Sequence, residues 1–65
     1  MKIEPTTYPG WNDYPAYLVR TYTDYQEIRR WMFENKVDHF LLSAGTVGYI
    51  FQVKDNQEWF ALKWM

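Results

Sequence analysis

The sequence has no cysteine and a single histidine, His39, among its 65 residues. Without thiols the chain cannot build a disulfide scaffold, a thiolate zinc site or a thiol nucleophile, and it is compatible with a reducing cytosol. It also lacks any apolar run near the roughly 18 residues of a membrane span, and its N-terminus lacks the layout of a signal peptide. We therefore expect a soluble, cytoplasmic protein that folds without covalent cross-links.

Strong charge of either sign is missing as well, because 7 basic and 8 acidic side chains leave a formal net charge of -1. Affinity for nucleic acid or anionic lipid depends on clustered Lys and Arg, so the composition gives no general attraction to either. The chain is too short for a Rossmann domain or a barrel enzyme. A small binding module with a protein partner remains.

Aromatic side chains are what the sequence has in excess: 4 Trp, 6 Tyr and 4 Phe make up 22% of it. A domain of about 60 residues buries only about 60% of the surface of its unfolded chain, so its core is marginal. Buried rings, at roughly 150–250 Å² each, can supply that core. Rings in excess of what the core can hold would stay exposed and indicate a partner surface.

The first fifteen residues hold all three prolines and one of the three glycines. Neither a helix nor a central strand can pass through such a segment. We predict an extended N-terminal arm over 1–15 and one small domain over 16–65. Tyr8, Trp11 and Tyr14 recur every three residues, which places their rings on one side of a polyproline-like arm. These rings either cover the protein's own domain or bind another chain.

The domain is predicted to begin with a strand over 16–22, where β-branched and aromatic residues alternate. A helix then follows, with Thr23 as its N-cap, Gln26 as the capping-box partner and Asn35 as the left-handed residue at its end. Its apolar stripe consists of Tyr25, Ile28, Trp31 and Met32. Phe33 lies about 100° from this stripe, so we expect its ring to be exposed.

Two further strands are predicted, over 38–43 and 47–53, joined by a hairpin in which Gly45 supplies any positive φ. The face of the second strand that carries Tyr49 and Phe51 should be core. The last twelve residues allow two structures. Asp55 can cap a helix over 56–64, or it can lie in a hairpin turn that leads to a fourth strand.

The resulting fold class is α+β. The main prediction is a βαββα unit with a three-stranded antiparallel sheet, which is a truncated ferredoxin-like unit. The alternative is βαβββ with a four-stranded antiparallel sheet. In the main prediction one sheet edge lacks the strand that would complete the ferredoxin-like unit, and a second copy of the chain could cover it.

The stretch Gly48-Tyr49-Ile50-Phe51-Gln52-Val53 resembles the RNP1 signature of the RNA-recognition motif. That resemblance implies a single-stranded RNA or DNA-binding module in which Tyr49 and Phe51 stack bases. A basic residue is expected before the glycine, but Thr46 and Val47 stand there, and Ile50 replaces a small residue. These departures remove charge that nucleic-acid binding requires, so this function is the alternative.

The stretch Lys54-Asp55-Asn56-Gln57-Glu58-Trp59-Phe60-Ala61-Leu62-Lys63-Trp64 resembles the ends of small uncharacterised proteins of tailed bacteriophages, including cyanophages. Most of the likeness lies in the Phe60-x-Leu62-Lys63-Trp64 ending. The resemblance implies a phage-encoded protein that binds a host protein in the host cytoplasm and inhibits or redirects it.

Residues suited to catalysis are sparse. His39 has Asp38 beside it, but no nucleophile is placed to use the pair, and Asp55 with Glu58 is better explained as a capping box. We therefore predict no catalytic residue, no cofactor and no metal site. The predicted partner-binding residues are exposed rings and neighbouring arginines, which dominate protein interfaces: Tyr8, Trp11, Tyr14, Arg29, Arg30 and Phe33.

Overall fold

A computed structural model describes residues 3–7, 10 and 13–64. They form one antiparallel sheet with the strand order β1-β2-β4-β3 and two helices. The elements are β1 (Glu4–Thr6), β2 (Ala16–Val19), α1 (Tyr22–Glu34), β3 (His39–Gly45), β4 (Gly48–Val53) and α2 (Gln57–Trp64). The predicted α+β class is confirmed.

The sheet has four strands, as in the alternative prediction, rather than the three of the main one. The C-terminal segment is nevertheless the helix of the main prediction, and the additional strand is β1, inside the predicted arm. β1 pairs with β2, with Pro5 opposite Tyr17. Proline is tolerated there because β1 is an edge strand. β1 therefore occupies the edge beside β2, which was predicted to be unpaired and available to a second copy.

α1 begins two residues earlier than predicted. Thr21, and not Thr23, is the N-cap, and its hydroxyl accepts a hydrogen bond from the Asp24 backbone N–H at 3.3 Å. β2 accordingly ends at Val19, and Tyr22 lies in the first turn of α1. Both threonines satisfy the same cap preference, so the choice depends on where the chain leaves the sheet.

The end of α1 is closed by its backbone. Lys36, with a φ of 56°, holds the left-handed position that was predicted for Asn35, whose φ is -101°. The Val37 N–H donates to the Met32 carbonyl at 2.8 Å and the Lys36 N–H to the Phe33 carbonyl at 3.4 Å, which is the Schellman pattern. This turn directs the chain from α1 back into β3.

The core lies between the two helices and one face of the sheet. Phe60 of α2 packs its ring 4.9 Å from that of Tyr17 in β2 and 5.9 Å from that of Phe51 in β4. Ile28 and Met32 of α1 are fully buried over the same face. Each such side chain contributes roughly 1.5–3 kcal/mol by leaving water. The predicted core face of β4 is confirmed.

α2 begins at Gln57, and its N-cap position is Asn56 rather than the predicted Asp55, because the Asn56 carbonyl accepts the Phe60 N–H at 3.0 Å. The Asn56 side-chain amide also donates to the Lys36 carbonyl at 3.1 Å. This bond ties the start of α2 to the turn that follows α1.

The opposite face of the sheet is partly covered by the N-terminal segment. Gln52 of β4 is only 2% exposed, and its amide donates to the Tyr14 carbonyl at 3.1 Å. Gly10 lies close to the end of the Gln52 side chain: a Cβ at position 10 would come within 2.6 Å of the Gln52 amide, which would have to move to make room. The Tyr14 ring meets Phe40 of β3 edge-on at 6.3 Å.

The β3–β4 hairpin differs from its prediction in two respects. The turn residues are 46 and 47, and the positive φ, 136°, belongs to Gly48. A bulge between Leu41 and Ser43 shifts the register of β3 against β4. Because a bulge moves later side chains to the other face, the regular alternation of side chains along β3 holds only up to Leu41.

Within the described residues, no helix combines the length and the apolar character that crossing a membrane requires.

Candidate functional site: a groove between α1 and β3

The two flanks of α1 meet different neighbours. On one flank Trp31 contacts α2, with its ring edge-on to Trp64 at 6.0 Å and to Phe60 at 6.2 Å. The other flank carries Arg29 and Phe33, each one position after a buried residue of α1 and so turned about 100° from the core stripe. That flank is not covered by α2 and faces the start of β3.

A groove runs between this flank of α1 and β3. It is lined by Gln26, Arg29, Arg30, Phe33 and His39. The structure thus brings together three of the predicted partner-binding residues: Arg29, Arg30 and Phe33. Tyr14 lies on the opposite face of the sheet against Phe40, so it does not join this groove. Tyr8 and Trp11 are outside the described residues.

Phe33 is the most exposed large apolar side chain among the described residues, with 84% of its surface accessible. Its predicted exposure is confirmed. It falls on the flank of α1 that α2 leaves uncovered, because the core stripe is filled by Tyr25, Ile28 and Met32. Burying such a ring in an interface is worth about 1.5–3 kcal/mol, so Phe33 is available to anchor a partner.

The arginines of the groove are exposed and carry the positive charge of its rim. Among the residues that the structure describes, neither Arg29 nor Arg30 has an ion-pair partner within 4 Å. The side-chain amide of Gln26, which lines the same groove, donates to the Tyr22 hydroxyl. The guanidinium groups are therefore available to carboxylates or phosphates from outside.

Arg29 also acts electrostatically on the tyrosine below it. Burial raises the pKa of the Tyr25 hydroxyl, and the positive charge of Arg29 partly offsets that rise. A nearby cation stabilises the tyrosinate form, whereas desolvation disfavours it. The net direction is upward, so Tyr25 is neutral at physiological pH and contributes no charge to the groove.

His39 closes the groove at the start of β3. Its Nδ1 lies 3.0 Å from the Val37 carbonyl, which can only accept, so Nδ1 carries the proton in this contact. The ring also meets Phe51 edge-on at 6.2 Å. Its neighbour Asp38 pairs with Lys54 at 3.8 Å. These three contacts are explained by local structure, and none of them brings a nucleophile together with a base.

Tyr49 and Phe51, the two rings that the RNP1 resemblance assigns to base stacking, lie on the face of the sheet that the helices cover. Phe51 is fully buried beneath the helices, and Tyr49 stacks on Tyr25 with ring centroids 4.6 Å apart. A base-stacking platform requires rings on an accessible sheet face. Phe51 and Tyr49 therefore belong to the helix-covered face and pack in or against the core, which gives the nucleic-acid alternative no support from their placement.

Sequence reasoning missed two exposed apolar features. Leu41 of β3 lies on the helix-facing side of the sheet, opposite Phe51, and is 47% exposed beyond the edge of α1. Trp59 and Leu62 form an exposed pair on α2. The exposure of Trp59 and Leu62 could have been found from the sequence, because the C-terminal segment has no fully polar face either as a helix or as a strand. The exposure of Leu41 has no signal in the sequence, because it depends on how far α1 covers the sheet.

Comparison with known proteins gives no match to a family model, to a curated protein or to a solved structure. The resemblances to the RNA-recognition motif and to small phage proteins stay predictions. Function must be inferred from the groove itself.

Proposed function

We propose that this protein is a non-enzymatic protein-binding module whose partner docks in the groove between α1 and β3. The observation that carries the proposal is the 84% exposure of Phe33 beside two arginines without ion-pair partners among the described residues. A domain of this size gains stability from every ring that it buries, so a ring left in water contributes nothing to the fold and is available to a partner.

The chemistry of the groove supports a partner surface that is both apolar and acidic. Phe33 offers a ring to a hydrophobic contact, while Arg29 and Arg30 offer planar guanidinium groups to carboxylates. Trp, Tyr and Arg are enriched among the residues that dominate binding energy. The opposite charges would also steer the encounter and accelerate association.

The finer version of the proposal is a phage-encoded protein that binds a host protein and inhibits or redirects it. Its support is the likeness of residues 54–64 to the ends of small phage proteins. A ferredoxin-like relationship is part of the same proposal: β1 occupies the position beside β2 for which a βαββα unit has no strand of its own. Under this reading the protein works in the host cytoplasm.

The experiment is capture of partners from native host lysate with the full chain and with the variant Phe33→Ala. Leu62→Ala is the matched control, because Leu62 is 80% exposed on the other helix. Both changes should alter stability by less than about 0.5 kcal/mol, since they are surface positions. We expect Phe33→Ala to lose the captured protein and Leu62→Ala to keep it. Equal capture by both variants would exclude the groove as the binding site.

A further inference from the structure

The outer edge of β3 has no strand beside it among the described residues, because the sheet order is β1-β2-β4-β3. β3 is seven residues long and contains neither proline, lysine nor arginine. Proteins usually protect a sheet edge with such residues or with a bulge. The bulge here lies after Leu41, so the stretch from His39 to Leu41 is regular, and the described residues place no strand on its outer side.

The direction of the backbone groups along this stretch follows from two hydrogen bonds. The Val53 N–H donates away from β3, to the Pro15 carbonyl at 3.1 Å, whereas the Lys54 N–H donates to the Asp38 carbonyl at 2.7 Å. In an antiparallel pair such bonds alternate along the strand. Asp38 and Phe40 therefore point their backbone groups toward β4, and His39 and Leu41 point theirs outward.

The same two residues carry side chains on the helix-covered face. His39 lies opposite Val53 and Leu41 opposite Phe51, both of which belong to the core. Directly opposite residues in an antiparallel pair have their side chains on one face. A strand paired with His39 and Leu41 would therefore turn every second side chain toward the groove that contains Phe33 and Arg29.

We propose that the partner binds by strand addition: an extended segment pairs with the outer edge of β3 and places an apolar and an acidic side chain, two residues apart, in the groove. This mode rests on the proposed function. Main-chain hydrogen bonds to His39 and Leu41 supply affinity, and Phe33 and the arginines select the side chains.

Charge favours an acidic segment over a second copy of the chain. Pairing of β3 with β3 of another copy would be two-fold symmetric and would bring the Arg29 and Arg30 groups of both copies to the same face of the joined sheet. Like charges facing each other oppose association, whereas carboxylates opposite them favour it. The bulge after Leu41 further restricts regular pairing to a short segment.

The test uses a fluorescent peptide, Thr-Glu-Thr-Phe-Thr-Glu-Thr, titrated with the full chain and followed by anisotropy. A control peptide replaces Glu by Lys, and a second is N-methylated at alternate amides, which removes donors without changing side chains. We expect binding of the first peptide and at least about tenfold weaker binding of each control. Leu41→Pro removes an outward N–H, is tolerated at an edge, and should weaken binding similarly.

Amide hydrogen exchange provides a second readout that needs no variant. In the free protein the His39 and Leu41 amides should exchange quickly and that of Phe40, bonded to β4, slowly. Bound peptide should slow the first two by about tenfold or more and leave Phe40 unchanged. Strand addition would be overturned if N-methylation of the peptide did not weaken binding, or if the His39 and Leu41 amides still exchanged quickly in the complex.

Two further outcomes separate the proposals. No peptide binding together with Phe33-dependent capture from lysate would reject strand addition and keep the protein-binding function. Sedimentation of the free chain as a dimer, with its His39 and Leu41 amides already slow, would make the second copy the occupant of this edge and overturn the acidic segment.

Discussion

The two edges of the sheet differ in nearly every property that governs association. β1 is three residues long, contains Pro5 and a charged residue, and its neighbour Ile3 is fully buried. β3 is seven residues long, mostly apolar, and borders a groove with an exposed ring and two arginines. A protein that avoided association would protect both edges. β1 has two such protective features, its short length and its proline, whereas β3 has only the bulge after Leu41.

The edge formed by β1, which we call the closed edge, is held mainly by the burial of Ile3, with weaker contacts beside it. Glu4 of β1 pairs with Arg20 at 3.0 Å, but both side chains are about half exposed or more, so water screens the pair. The hydrophobic burial of Ile3 is the larger contribution. The edge formed by β3, the open edge, is held instead from the inside, through β4 and the hairpin, and the part of the chain that the structure describes places no strand on its outer side.

The largest expected effect on the open edge comes from Gly48→Ala. A Cβ there would lie 2.5 Å from the Val19 carbonyl, and the φ of 136° is strained for any residue with a side chain. We expect a loss of about 2–6 kcal/mol from strain and overlap, against a total of about 3–10 kcal/mol for this length. Urea unfolding followed by circular dichroism measures it.

The control for this change is Gly45→Ala, where an added Cβ meets nothing within 4 Å. Gly45 ends β3 on the other side of the same hairpin. It should change stability by less than about 0.5 kcal/mol. Equal destabilisation by the two variants would mean that hairpin flexibility, and not the close approach of Gly48 to β2, sets the requirement.

The next effect concerns the closed edge. Ile3→Ala should cost about 2–5 kcal/mol, because Ile3 is fully buried, and it should loosen β1 from β2. That would recreate the unpaired edge beside β2 that the sequence predicts for a three-stranded sheet. We expect concentration-dependent association in sedimentation velocity. Val47→Ala, at an exposed turn position, is the control that should stay unchanged.

The two edges also differ in how far their structure could be predicted from the sequence. The β3–β4 hairpin and α1 were predictable because each has a clear period and its partners are close along the chain. β1 was not, since three residues interrupted by Pro5 carry no period, and the strand forms only through pairing with residues ten or more positions away. A short edge strand is specified by its neighbour more than by its own residues.

The site was predictable in one part only. The exposure of Phe33 follows from its angle to the stripe of Tyr25, Ile28 and Met32, which the sequence contains. The contribution of His39 and Leu41 could not be predicted from the sequence. It depends on β3 being the outermost strand and on α1 stopping short of it. The core position of Tyr49 and Phe51 was also predictable, because β4 alternates clearly through its whole length.

A small effect is expected when the ion pair of the closed edge is removed. Arg20→Ala should cost about 0.2–1 kcal/mol, reduced further at high salt, because the pair is exposed. Urea unfolding at low and high ionic strength checks this. A loss much above that range, insensitive to salt, would show that Arg20 holds β1 by packing rather than by charge.

The smallest expected effect is on the pKa values of two tyrosines, Tyr17 beside the closed edge and Tyr25 beside the groove. Burial raises the pKa of Tyr17, which pairs with Pro5 of the closed edge, above the usual 10.0. Burial also raises that of Tyr25, but there Arg29 of the groove lowers it in part. Because the folded pKa values lie above the unfolded one, their stabilising contribution is present below pH 10 and is lost as the pH rises further.

Arg29→Gln should therefore raise the pKa of Tyr25 further and leave that of Tyr17 unchanged. Ultraviolet titration of the variant measures both, with Tyr25→Phe and Tyr17→Phe used to assign the two transitions. If Arg29→Gln moves neither transition, the guanidinium does not lie over Tyr25 in solution. The positive charge would then be absent from the inner wall of the groove, and an acidic segment on β3 would have only Arg30 to meet.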